Sequence, residues 1–265
     1  MQMAAAEVAL LAVLAGALGA QIVFRRLAFF SHAIGAGAFP GLVLAVAWGI
    51  QPQVAALGTG GLFAGALERL TRAGRIATDS ATALLLVAAL AAGILLASDV
   101  FESGTGVDQL LFGTLVGIGW GELLATGLAT VAVLVATLAM HRVWIATAFD
   151  ASGATSMGLR VVVGDWLLLA AIAAAVVAAV DAVGSLLVSA ILVVPAATAR
   201  LLFRSVAAVE LGAFSIALAE GLFGIWIAYE LDVPPGPTIA VLGGIVFVLA
   251  ALLAGRRRRA GEAVA

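Results

Sequence analysis

Apolar stretches of about twenty residues, the length needed to cross a bilayer core, recur along this chain, and its cationic side chains fall only in every second connection between them. The chain contains no lysine, and its 13 basic residues are all arginines. Arg25 and Arg26, then Arg69, Arg72 and Arg75, then Arg142 and Arg160, then Arg200 and Arg204, then Arg256 to Arg259 occupy alternate connections. The connections around Gln51, Asp99 to Asp108, Asp181 and Glu230 to Asp232 carry no basic residue. Loops rich in Lys and Arg stay on the cytoplasmic face, so the pattern assigns a side to each connection. Because hydrocarbon offers backbone groups no partner, segments of this length can cross only as helices that pair their own N–H and C=O groups.

Nine spans are expected, near residues 3–24, 33–50, 54–70, 81–98, 121–140, 162–182, 184–202, 206–229 and 237–255. An odd number places the N-terminus outside and the arginine tail inside. The weakest points are the tight pair meeting around Asp181 to Ser185 and the short third span, which leaves eight spans plus a re-entrant piece as the alternative. With 64% hydrophobic and 11% charged residues and a mean hydropathy of +1.22, the chain lacks the polar exterior of a soluble domain. The first apolar run has no basic residues before it, and Arg25 and Arg26 follow it, so it reads as a retained span rather than a signal peptide. The expected organisation is one transmembrane domain over 1–255, an inner segment at 141–160 within it, and a short basic tail at 256–265.

The outer segment from Asp99 to Gly121 is apolar over Gln109 to Trp120 but too short to span. Counting it as a crossing would move every later arginine to the wrong face, so it is expected to lie in the interface or to dip in and out. Gly113, Gly117 and Gly121 repeat at GxxxG spacing, as do Gly37/Gly41 and Gly61/Gly65, where helices could approach closely. Each such pair is as readily a by-product of Ala/Gly-rich composition.

Little enzymatic chemistry is available. The chain has two histidines, His32 and His141, no cysteine and one tyrosine. It has no HExxH pattern, and without lysine it has no phosphate-binding GxxxxGK[ST] loop. Transport is the remaining class. Pro195 inside the seventh span removes a backbone donor and should bend that helix, either for a gated path or for packing alone, with Ser189 and Thr198 available to re-pair freed carbonyls. Intramembrane acids are costly and usually functional. Glu210 and Glu220 in the eighth span, ten residues and about 1,000° of helix apart, do not share a face. Glu220 lies deeper and is the candidate path-lining residue, a structural pair or a protonated interior group being the alternative. Asp79, Asp165 and Glu122 fall at helix starts, where capping or dipole complementation accounts for them. Asp181 either meets substrate or caps the seventh span.

Five blocks carry a family resemblance. Arg25-Arg26-Leu27-Ala28-Phe29-Phe30 with Pro40-Gly41, the run Asp108-Gln-Leu-Leu-Phe-Gly-Thr-Leu115, and the inner loop His141 to Arg160 with its Phe149-Asp150 pair and Met157-Gly158-Leu159 exit are three. The stretch Val183 to Leu202, with its Pro-Ala-Ala-Thr-Ala-Arg core, and Leu231-Asp-Val-Pro-Pro-Gly-Pro-Thr-Ile239 complete the set. In this order they resemble the permease subunits of ABC importers for zinc, manganese and iron. The resemblance implies an all-α type II importer permease in a prokaryotic plasma membrane. It further implies a homodimer with the path between two copies, a cytoplasmic ATPase that hydrolyses ATP, and an extracytoplasmic solute-binding protein.

On that basis Phe149, Asp150, Ser152, Met157, Gly158 and Leu159 are expected to form the ATPase-coupling segment, and Glu220, Pro195 and Ser189 to line the path. An interfacial loop with Phe149 and Met157 anchored in lipid is the alternative for the segment. Arg256 to Arg259 would bind lipid headgroups, and nothing calls for a nucleic acid. No cofactor is expected, the divalent metal being cargo. At the metal site the chain departs from the family. Where the second span usually has an Asp and, four residues on, a His, it has His32 and Ala36, which leaves His32 as the one candidate ligand. Two other readings therefore stay open: an ion-coupled secondary transporter using Glu210 and Glu220, and a family member with a non-metal substrate or no transport role.

Overall fold

The computed structural model describes residues 2–72, 78–100, 110–113, 115–185 and 187–262, and these contain no strand. The helices are α1 (Gln2–Phe24, with a π-helical segment at Ala15–Gly19), α2 (Ala28–Trp48), α3 (Pro52–Arg72), α4 (Thr78–Val100) and α5 (Trp120–Phe149). They continue with the short α6 (Ala151–Ser156), then α7 (Val161–Val183), α8 (Val188–Leu202), α9 (Val206–Leu231) and α10 (Pro235–Glu262). Seven of them (α1, α2, α4, α5, α7, α9 and α10) are long and apolar enough to cross a membrane. The apolar α8 has only 15 residues, and α3 carries Gln53, Glu68 and Arg69 near its ends.

Each expected stretch thus falls on a helix, and the differences lie at the ends. α5 continues past residue 140 to Phe149, so His141 and Arg142 are helical. α8 begins at Val188 rather than 184, because Gly184 (φ +86°) turns the chain in a conformation that costs glycine little. α10 runs on through the arginines to Glu262 instead of stopping at 255. α9 starts on the Ser205 cap, whose hydroxyl accepts from the Ala208 N–H at 3.3 Å, and it ends at Asp232 in the left-handed region. Pro235 then opens α10 at the first helical position, where a missing N–H costs nothing.

α1 is the central helix. Val8, Leu11, Leu14, Leu18 and Ile22 are all buried and share a core with Leu168, Ile172 and Val176 of α7 and with Leu192 of α8. The outward rows of α4, α5 and α10, such as Leu84, Val87, Leu128, Leu138, Leu252 and Leu253, are exposed. Apolar faces of that kind suit acyl chains.

Of the glycine pairs, Gly37 and Gly41 do bring α2 and α3 together: a Cβ on Gly37 would meet the Phe63 side chain at 2.8 Å, and one on Gly41 would strike Thr59 and the Ala55 carbonyl. Gly61 and Gly65 have nothing within 4 Å of a Cβ and hold no such contact. The outer segment dips inward. Leu110 and Leu111 sit in a helical turn, Leu115–Gly117 form a 3-10 turn, and Leu115 and Ile118 are buried in the main core. Gly113 (φ +75°) lets the segment pack on the Ala182–Val183 backbone, and the Leu110 carbonyl accepts from the Ser185 N–H at 3.1 Å. Residues 101–109, which include Asp108, lie outside the described residues.

Candidate functional site

α8 organises the interior. Pro195 has no N–H, so the Ile191 carbonyl one turn earlier loses its helical partner. Thr198 donates its hydroxyl to the Val194 carbonyl at 2.9 Å, an ordinary one-turn back-bond that does not re-pair the Ile191 carbonyl. Nor does Ser189: its hydroxyl pairs with His32 Nδ1 on α2 at 2.9 Å, the proton position following the imidazole tautomer. Two candidates from distant parts of the sequence are thereby joined.

Pro195 and Glu220 are joined as well. Together with Ala190, Ile191, Val194, Ala217, Ile239, Ala240 and Gly243 they line one cavity of about 10 Å³, about what a single water needs. Glu220 is 6% exposed, and its Oε1 has no protein partner among the described residues. Gly243 on α10 makes room for the carboxylate, since a Cβ there would stand 3.0 Å from Glu220 Oε2. On its other side Glu220 borders an apolar groove with Phe223, Ile227 and Val246. Glu210 faces elsewhere, with Oε1 3.8 Å from His141 Nδ1, so the two acids do not form a relay.

Among the described residues no group of three or more His, Cys, Asp or Glu side chains could hold a metal ion. Ala36, one turn beyond His32, is fully buried. Near the opposite end of α2 a recess of about 500 Å³ is lined by Gln51, Gln53, Leu110 and Glu122. Glu122 also caps α5, its Oε2 accepting from the Gly119 N–H at 2.5 Å, as expected of an acid at a helix start.

The inner loop is a built structure. The Asp150 carboxylate accepts from the Gly153 N–H at 2.9 Å and from the Ser152 hydroxyl at 2.7 Å, which caps α6. Those bonds, with the Gly153 N–H foremost, hold its carboxyl below the usual carboxylate range. At the other end Gly158 (φ +74°) closes a Schellman motif: its N–H donates to Thr155 O at 3.0 Å, and the Leu159 N–H donates to Ala154 O at 3.2 Å. A six-residue helix is marginal alone, and these two caps define it. Phe149 and Met157 flank it, 63% and 75% exposed.

Asp165 does not cap α7, contrary to expectation. The cap position is Arg160, which makes no side-chain cap, and Asp165 instead takes Arg25 at 2.7 Å. The side chains of Asp79 and Asp181 lie outside the described residues. Sequence reasoning also passed over Glu7 and Gln21, both buried on α1. The signal for Glu7 was present, an acid inside an apolar run. Nothing in the sequence pointed to the contacts of Phe24 with Phe149 and Arg200.

A many-helix membrane bundle with a proline inside an inner helix, a buried acid beside it and a capped short helix in one connection has the form of a transport permease. The model of the ABC 3 transport family matches residues 1–254. The chain is 28% identical to the manganese import system permease protein ScaB of Streptococcus parasanguinis over 93% of this chain and 88% of that one. It is 30% identical to the manganese transport system membrane protein MntC of Halalkalibacterium halodurans over 94% and 86%. The solved structure of PsaBC from Streptococcus pneumoniae in complex with Fab superposes with a TM-score of 0.86 at 26% identity, covering 94% of this chain and 90% of that one. The chain belongs to the ABC 3 transport family. It is a multi-pass membrane permease subunit of an ABC metal transporter and not itself an enzyme.

Proposed function

We propose that this permease imports a divalent metal ion, with Mn2+ the first candidate, across a prokaryotic plasma membrane as a homodimer powered by a separate ATPase. The observation that carries the reading is the doubly capped α6 with exposed Phe149 and Met157. A short helix fixed at Asp150 and Gly158 is a rigid knob suited to a cleft on a cytoplasmic ATPase, and Arg142 and Arg160 bracket it on the positive side. Ser152 and Leu159 complete it, Ser152 by tightening the Asp150 cap and Leu159 by closing the exit. The same arginine rule puts the N-terminus outside and the recess at Gln51, Gln53 and Glu122 on the face where an extracytoplasmic solute-binding protein would deliver its ion. The arginines at 256–259 meet lipid headgroups.

Manganese is favoured over zinc and iron because the relatives named above are manganese permeases. The chemistry inside the chain agrees with passage rather than storage. His32 offers one imidazole nitrogen and Ser189 one hydroxyl, too few donors for a tight site, so a second copy or water must supply the rest of a transient shell. Pro195 of α8 and Glu220 of α9 line one small cavity in the same interior. The test is binding of the detergent-solubilised permease to its cognate ATPase. Phe149→Ala and Met157→Ala should each weaken it at least tenfold, and unchanged affinity in the double variant would remove the coupling role from α6.

A further inference from the structure

Arg25 and Arg200, which mark the inner face in the sequence, sit in one chain of contacts. Arg25 Nη2 donates to Thr147 Oγ1 at 2.5 Å and pairs with Asp165 at 2.7 Å. Thr147 lies two residues before Phe149, and Asp165 lies in the second turn of α7. Arg25 therefore grips both helices from which α6 hangs. Immediately before it, the Phe24 ring has the Arg200 guanidinium of α8 4.5 Å above its centroid and the Phe149 ring 5.7 Å away, tilted by 43°.

The last turns of α1 and α8 are also packed together. Ala20 shares a small buried cluster with Ala196 and Ala199 of α8 and with Val209 and Ala213 of α9, and Val23 and Phe24 lie against it. Just above this contact both helices are irregular. α1 has its π-helical segment at Ala15–Gly19, and α8 has Pro195 with a missing hydrogen bond. The two irregularities are level with each other, because a Cβ on Gly19 would stand 2.6 Å from the Leu192 carbonyl and 2.8 Å from the Ala196 methyl group.

We propose that the coupling segment, the end of α1 and the half of α8 below Pro195 move as one inner body, joined through Phe24. In this body Phe24 and Arg200 are positioning residues that carry ATPase motion to the bend beside Glu220 and Ser189. The inference rests on the reading of α6 as the ATPase contact. Motion of α6 drags the ends of α5 and α7; Arg25 passes it to α1, and Phe24 passes it to α8. The joint at Gly19 and Pro195 turns it into a change of angle in the path-lining half of α8. Loss of the ring contact leaves α6 docked and ATP hydrolysis running, while α8 no longer follows.

The experiment measures Mn2+ accumulated per ATP hydrolysed by the complete transporter in proteoliposomes, with ATPase binding measured on the same preparations. Arg200→Gln and Phe24→Leu should lower that ratio about three- to fivefold, the scale set by an exposed cation–π contact, with ATPase binding unchanged. Arg200→Lys, which keeps the cation, should restore most of the ratio. Arg204→Gln removes a charge just beyond the end of α8, where no ring contact is described, and should leave it unchanged. A wild-type ratio in Arg200→Gln and Phe24→Leu overturns the relay, as does an equal fall in Arg204→Gln. If wild-type uptake proves independent of ATP, the permease reading itself fails, a result separable from both.

Discussion

Replacing Glu220 by methionine should make the protein more stable and a poorer transporter. The side chain is 6% exposed, its Oε1 meets no protein donor among the described residues, and the adjoining cavity of about 10 Å³ admits one water at most. A buried polar group left without a partner costs about 1–3 kcal/mol. Methionine has similar length, bends to fit and needs no donor. With a bound water offsetting part of the cost, the net gain should be about 1–2 kcal/mol, which corresponds to a rise in apparent Tm of about 2–8 °C for a chain of this size. The five tryptophans provide the signal for a thermal scan in detergent, and Mn2+ uptake is measured alongside. The reasoning requires the two quantities to move in opposite directions. A lower Tm for Glu220→Met would mean that the carboxylate is satisfied and structural, and full uptake would remove it from the path.

Further substitutions probe three separate parts of the account. Gly158→Val places a β-branched residue at φ +74°, a strain of about 1–2 kcal/mol, and should weaken ATPase binding while the bundle still melts near the wild-type temperature. Arg25→Ala breaks a largely buried arginine away from Thr147 and the half-exposed Asp165; it should cost about 1–3 kcal/mol in thermal stability, and Arg25→Lys should recover part of it, because both contacts are made by the one nitrogen Nη2 and a lysine ammonium keeps the charge. Gly41→Leu should disrupt the α2–α3 contact and lower the folded yield in detergent several-fold, whereas Gly65→Ala, with nothing within 4 Å, should behave as wild type.

Much of the architecture is legible in the sequence. The arginine alternation and the apolar lengths located every long helix, because hydrocarbon imposes a rule that each segment obeys by itself. Helix ends were less legible where local chemistry decided them. Gly184 delays α8 by a turn, and α5 carries His141 and Arg142 onward because only Asp150 supplies a stop. Sequence gives no sign of which partners the residues of the five blocks take. Ser189 looked like a carbonyl partner for a bent helix and proved to hold His32; Asp165 looked like a cap and proved to hold Arg25. Those pairings join positions 157 and 140 residues apart, and helix-by-helix reasoning has no access to such distances. The Gly61/Gly65 pair shows the converse: spacing alone does not distinguish a glycine at a contact from one on an open face.

The central claim is that this chain carries a divalent metal ion inward at the expense of ATP hydrolysed by a partner on its arginine-rich side. The most direct test is uptake of radiolabelled Mn2+ into proteoliposomes that contain the permease and its ATPase, supplied with the solute-binding protein on the outer face and ATP on the inner. The account predicts accumulation that requires ATP and the binding protein together and that is lost in Asp150→Ala through failure of the α6 cap. Accumulation driven by an ion gradient without ATP, or no Mn2+ uptake while ATP is hydrolysed in response to another solute, would contradict it.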